Sequence, residues 1–268
     1  MTPTRARFAE VVRSEPVDVG LACLLVGGEV EPELDVDASL EVLDLIATQV
    51  RLRLHGQTRP DDVAEQLRRV LHTGHRFGGT DADFDDVRSS LLSEVLVRKR
   101  GLPILLSVVW TEVAARLGVQ AYALGLPGRV HVLVGEPEDS HVVVDPWEGG
   151  RVLDRQEVAQ RAQGMPLVPM QPHDLLLRLL TNVRVLAARR PPGLEAAAVR
   201  LWAVELSLLL PRHPVVLRRE RGELRVRLGD HLGGAQELET YALVVDTTDE
   251  QEATAARRAA RLARAQLN

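Results

Sequence analysis

The sequence predicts an α+β protein that runs on into an all-helical domain. Three observations carry that expectation: helical periodicity from Phe8 to about Val97, strand periodicity after Gly118, and a return to long helices after a proline-bearing stretch at 164–172. Between the first two lies 101–118, an almost wholly apolar segment that opens with Gly101-Leu102-Pro103 and closes with Arg116 and Gly118. A helix apolar on nearly every side must be enclosed, so this is the central element.

The first part holds apolar stretches at 19–26, 40–54 and 61–71, the last two with residues spaced three and four apart between polar faces. Asp37 and Ser39 stand at the start of the second helix, and Asp61 and Asp62 at the start of the third, where Pro60 suits the entry position. Gly74, Gly78 and Gly79 mark an irregular connection, followed by a helix at 89–98. The central helix then runs from 103 to 117, because proline at a first helical position gives up only an N–H that has no partner there. Strands follow at 119–126, 129–134 and 141–144, separated by Pro127-Gly128 and by 135–140, as an antiparallel meander would be. The Glu148-Gly149-Gly150-Arg151 turn closes this part, and Asp154 caps a short helix at 155–161. Helices at 174–189, 194–210, 215–228, 235–244 and 250–267 complete the chain. The expected division is a mixed domain over residues 1–165 and a helical one over 170–268.

Composition narrows the function. The chain has 268 residues, 45% of them apolar, enough to bury real cores. Its net charge of -5, from 33 basic and 38 acidic residues spread throughout, creates no field that would draw nucleic acid or an anionic membrane surface. The opening Met1-Thr2-Pro3-Thr4-Arg5-Ala6-Arg7 leads into a mixed segment, and no run approaches the roughly 18 apolar residues of a membrane span. A cytoplasmic protein is expected. Cys23, the single cysteine, lies in the apolar run 21–26 and reads as a small buried hydrophobe rather than a reactive thiol.

The central helix, His131 and Asp145 stand in the order in which thiol hydrolases present nucleophile, base and orienter. A thiol at the helix N-terminus would gain from the positive end of the dipole, but the residue in that position is Pro103. These residues resemble the core of the transglutaminase-like superfamily, which runs Gly-x-Cys, helix, Leu-Gly, strand His and Asp-Pro. Here Gly101 matches the Gly, Pro103 the Cys, and Leu117-Gly118 the Leu-Gly. Within it the chain resembles the SirB-type branch through Arg76-Phe77-Gly78-Gly79, 95–104, Gly125-Leu126-Pro127-Gly128, Asp145-Pro146-Trp147-Glu148-Gly149-Gly150, Leu180-Thr181-Asn182-Val183 and Arg219-Glu220-Arg221-Gly222. The resemblance implies a papain-like core with an antiparallel sheet and central helix, then a tetratricopeptide-like helical domain. Gly222, Leu228, Gly229, Ala235 and Tyr241 give that second domain some repeat character.

Two departures matter. The branch reads Pro-Gly-His-Phe where this chain reads Pro127-Gly128-Arg129-Val130-His131, so the His comes two residues late. That shift keeps the strand face but moves the side chain by roughly 6 to 7 Å. The branch also carries an Asn-Ser-Phe-Leu-Asn-like segment where this chain has Arg88-Ser89-Ser90-Leu91-Leu92-Ser93.

The resulting expectation is a non-catalytic protein: a scaffold or regulatory factor with a peptide-binding groove at the former thiol position, with Trp147 beside Asp145 packed in the core or, as the alternative, walling that groove. The alternative is an amide hydrolase or acyltransferase in which Ser107, one helical turn after Pro103, or a residue of the His72 loop attacks with His131 and Asp145. His72-Thr73-Gly74-His75 lacks the further ligands that a metal site needs, so neither metal nor cofactor is expected. The arginines of 215–228 and of the last helix read as salt-bridged surface, and the partner as protein or peptide.

Overall fold

The computed structural model describes residues 2–267. The chain divides into two compact units, Met1–Leu179 and Leu180–Asn268. The boundary between them falls inside the helix Pro172–Arg189, and Pro172 occupies the start of that helix.

In the first unit, α1 (Pro3–Val11), α2 (Val19–Gly27), α3 (Val36–Leu54), α4 (Pro60–Arg68) and α5 (Leu92–Arg98) precede the central α6 (Pro103–Arg116). Side-chain caps set several starts: Asp18 accepts from the Leu21 N–H at 2.8 Å and Asp35 from that of Ala38 at 2.9 Å. Helix α3 thus begins a turn before the 40–54 stretch, with Asp35 rather than Asp37 or Ser39 as its cap. The 61–71 pattern is split between α4 and a wider turn at Arg69–Gly74. The 89–98 pattern is interrupted at Leu91, whose backbone is extended, so a short tight turn at Val87–Ser90 comes before α5.

The sheet is an antiparallel meander in the order β1 (Ala121–Gly125), β2 (Val130–Gly135), β3 (His141–Asp145) and β4 (Arg151–Leu153). Strand β4 is absent from the sequence expectation, since three residues after a glycine pair carry too little periodicity to read. Helix α7 (Arg155–Ala162) follows, with Asp154 and Glu157 capping it reciprocally. Period-two alternation places Leu124, His131, Val143, Asp145 and Leu153 on one face. Leu124, Val143 and Leu153 form a cluster there with Ala162 of α7. Val130, Val132, Val134 and Val144 point to the opposite face and are buried, and α4 and α6 pack against the sheet.

Helix α8 (Pro172–Arg189) starts in the first unit and ends in the second, which continues as α9 (Leu194–Ser207), α10 (Val216–Arg227), α11 (His231–Val245) and α12 (Glu250–Ala265). From α9 onward each helix packs on the next. Gly222 allows α10 and α11 to approach closely, because a Cβ there would lie 2.8 Å from Leu238 and 3.1 Å from the Gly234 carbonyl. The arginines of α10 are matched by neighbouring glutamates: Arg219 with Glu252 at 2.6 Å, Arg218 with Glu237 at 3.4 Å and Arg225 with Glu205 at 3.4 Å. They hold helix to helix.

Candidate functional site

Helix α6 begins where the sequence places it. Pro103 is its first residue, Leu102 is extended, and the Leu102 N–H donates to the Ser89 carbonyl at 2.9 Å. Gly101 is required by space, since a Cβ there would sit 2.4 Å from Val95. Pro103 is buried and offers no atom that could attack a carbonyl.

His131 and Asp145 are brought together. The register pairing Val132 with Val144 makes them cross-strand neighbours, with His131 Nε2 3.6 Å from Asp145 Oδ2, and both side chains fully buried. Asp145 is nevertheless held by other partners. Its Oδ2 accepts from Arg129 at 3.2 Å, and its Oδ1 from the backbone N–H groups of Trp147 and Glu148 at 3.0 and 3.3 Å. His131 Nδ1 lies 3.2 Å from the Arg129 carbonyl, and Nε2 has no hydrogen-bond partner. Burial lowers the imidazole pKa; Asp145 opposes this, and Arg161 reinforces it. His131 is therefore held neutral, on the α7 side of the sheet. Pro103 heads α6, and the hydrogen-bond and ion-pair contacts of His131 are with Arg129 and Asp145 rather than with that helix.

The alternative nucleophiles are engaged elsewhere. Ser107 Oγ is fully buried and donates to the Ile104 carbonyl at 2.7 Å, with no hydrogen bond to His131. His72 Nδ1 lies 3.0 Å from the Phe77 carbonyl and His75 Nε2 2.8 Å from Gln49 Oε1. Cys23 is buried, and burial, with Glu112 and Asp18 adding to it, pushes its thiol pKa far upward. Among the described residues no group of three or more His, Cys, Asp and Glu side chains could hold a metal ion. No helix among them is long and apolar enough to cross a membrane.

Pro103, His131 and Asp145 are all buried. A cleft of about 1010 Å³ lies along β3, β4 and α7, lined by none of those three.

The motif segments that carry the resemblance do converge, around a tryptophan. The Gly79 N–H donates to the Trp147 carbonyl at 3.2 Å, and a Cβ on Gly79 would lie 1.9 Å from the Trp147 ring. Gly78 N–H donates to the Lys99 carbonyl, Lys99 Nζ stands 4.9 Å from the Phe77 ring centre, and Phe84 lies 4.9 Å from Trp147. Trp147, only 9% exposed, is a packing hub.

Two functional-looking residues were missed in the sequence. Arg129 stands where the resemblance expects His, and that substitution was itself the signal: the guanidinium takes the carboxylate that the imidazole would have used. Asp83, also fully buried, accepts from Thr80, Ser89 and Arg100 and pairs with Arg98 at 3.7 Å. Burial alone would raise its pKa, but those donors and Arg100 hold the carboxyl below the ordinary range. Nothing in its local sequence marks Asp83, since its partners come from three turns and a helix end.

Helix, meander and the residual His–Asp pair define a transglutaminase-like domain. A model of the transglutaminase-like superfamily matches residues 37–188, more than half of the chain, and the chain belongs to that superfamily. More particularly, it sits with the UPF0162 proteins. It is 30% identical over 217 residues to one from Pseudomonas aeruginosa, covering 77% of this chain and 78% of the relative. It is also 28% identical over 251 residues to one from Xylella fastidiosa (strain Temecula1), covering 88% and 87%.

Proposed function

We propose that this protein is a non-catalytic member of its superfamily, of the SirB type, that acts as a scaffold or regulatory factor by binding a protein or peptide in the cytoplasm. The carrying observation is the attacking position: Pro103 supplies no nucleophile, while the would-be orienter, Asp145, is bound by Arg129 and the would-be base, His131, has an unbonded Nε2. The helices after Leu180 serve as a tetratricopeptide-like interaction surface in this reading. Supporting that role, Leu243, Leu262 and Val244 are exposed at 72%, 59% and 51%.

The test is turnover of amide, thioester and ester substrates by the full chain, alongside Ser107→Ala and His131→Ala. The expected result is a rate equal to the uncatalysed one in all three. Turnover by the parent chain that either substitution removes would establish the hydrolase instead.

A further inference from the structure

The two edges of the sheet differ. The β1 edge is covered by the chain itself: the Met170 N–H donates to the Ala123 carbonyl at 2.8 Å, and Leu124 bridges to Pro169. The β4 edge is not. Strand β4 covers only Val143, Val144 and Asp145 of β3, leaving His141 and Val142 without a partner on that side. Among the described residues, Arg151, Val152 and Leu153 make no backbone hydrogen bonds beyond those to β3. An uncovered edge invites another strand unless something blocks it, and here no charge or proline does so at its centre, where Val152 is 48% exposed.

The cleft of about 1010 Å³ opens at this notch. Val142, Val143, Val152, Leu153, Val158 and Leu167 line it with apolar groups, Val142 and Val152 from one face of the sheet edge and Val143 and Leu153 from the other. Its charged lining is Asp61, Asp139 and Asp154 against Arg155 alone, three acids to one base. Asp61 and Asp139 have no ion-pair partner among the described residues, while Asp154 is partly engaged in capping α7. An acidic rim around an apolar strand edge repels nucleic acid and anionic lipid, and it suits a chain that alternates apolar and basic residues.

Resting on the binding reading above, we infer that the notch beside β3 and β4 receives an extended peptide segment of a partner protein, with apolar side chains packed on its valines, and lysines or arginines against Asp61 and Asp139. The peptide adds as a strand to the sheet. Main-chain hydrogen bonds supply attachment, and the alternating side chains supply selectivity.

The experiment measures binding of fluorescent heptapeptides to the full chain by anisotropy. One alternates lysine and valine, a second alternates glutamate and valine, and a third carries proline at its centre. The lysine peptide should bind at least about tenfold tighter than either other, and lose about tenfold on Asp61→Asn with Asp139→Asn. It should lose more on Val152→Lys, at a position 48% exposed. Hydrogen exchange at Val152 and Leu153 should slow when the peptide binds. Equal binding of the lysine and glutamate peptides, or lysine-peptide binding unchanged by Val152→Lys, overturns the site. A free chain that dimerises until Val152→Lys separates it would assign the notch to a second copy and also overturn the proposal. Neither result touches the non-catalytic reading, which falls only if turnover is found.

Discussion

Two buried aspartates in the same unit show how differently a fold can treat a carboxylate. Asp83 is fully satisfied: the Thr80 N–H and hydroxyl, the Ser89 hydroxyl and the guanidinium groups of Arg98 and Arg100 surround it. Asp145 is as deeply buried, but beside it stands a histidine whose Nε2 bonds to nothing. The Asp83 carboxylate ties together the turns at 80–90 and the end of α5, although Arg98 Nη1 there also lacks a partner. Around Asp145 the unbonded imidazole nitrogen sits directly beside the carboxylate, and a buried polar atom without a partner costs roughly 1–3 kcal/mol. Asp83 is thus a structural tie, and His131–Asp145 a pair kept by the strand register rather than by chemistry.

Breaking the Asp83 network should cost the most. Asp83→Ala removes the shared acceptor of Thr80, Ser89, Arg98 and Arg100, although Arg98 keeps Asp86 and Arg100 keeps the Thr80 hydroxyl, and a loss of about 3 kcal/mol is expected in urea unfolding. Asp145→Asn should cost less, about 2 kcal/mol, because the Trp147 and Glu148 amides keep an acceptor while Arg129 keeps only Glu148 as counter-charge. Equal losses at the two positions would erase the distinction. Ser107→Ala removes one internal hydrogen bond and should cost about 1 kcal/mol in the same assay.

The smallest effect, and the sharpest, belongs to His131→Leu. Filling that space with an apolar side chain removes the orphan nitrogen, so stability at pH 7.5 should change by less than about 1 kcal/mol. Its pH dependence carries the sign. Burial depresses the imidazole pKa in the folded state, so the unfolded chain binds more protons as acid is added. The contribution of His131 is fully present above the unfolded value of about 6.5 and is lost as pH falls toward the folded value. His131→Leu should therefore gain on the parent between pH 7 and 5. A parent that is stabilised by acid relative to the variant would contradict a neutral, buried imidazole.

Much of this architecture was legible in the chain. The α6 start at Pro103, the meander, the Asp154 cap and most helices of the second unit follow from period, turn residues and proline placement. Strand β4 was not legible, because its existence depends on pairing with β3 and not on its own three residues. The site was half legible. The sequence named Pro103, His131 and Asp145, and the two-residue displacement of the histidine was visible beside Gly128. What it hid was the consequence: Arg129 occupies Asp145, and the register sets His131 beside that carboxylate without a bond to its Nε2, facts that belong to strand pairing.

The central claim, that the former thiol position is a sealed helix start and not a poised site, is tested most directly by Pro103→Cys. Cys23 is buried and its thiol pKa is raised, so iodoacetamide labelling of the folded chain, read by mass spectrometry, reports on residue 103 alone. The account predicts labelling at neutral pH no faster than that of a free small-molecule thiol. Labelling faster than that reference, and slowed by His131→Ala, would mean that the base still reaches the helix terminus and that the site remains assembled.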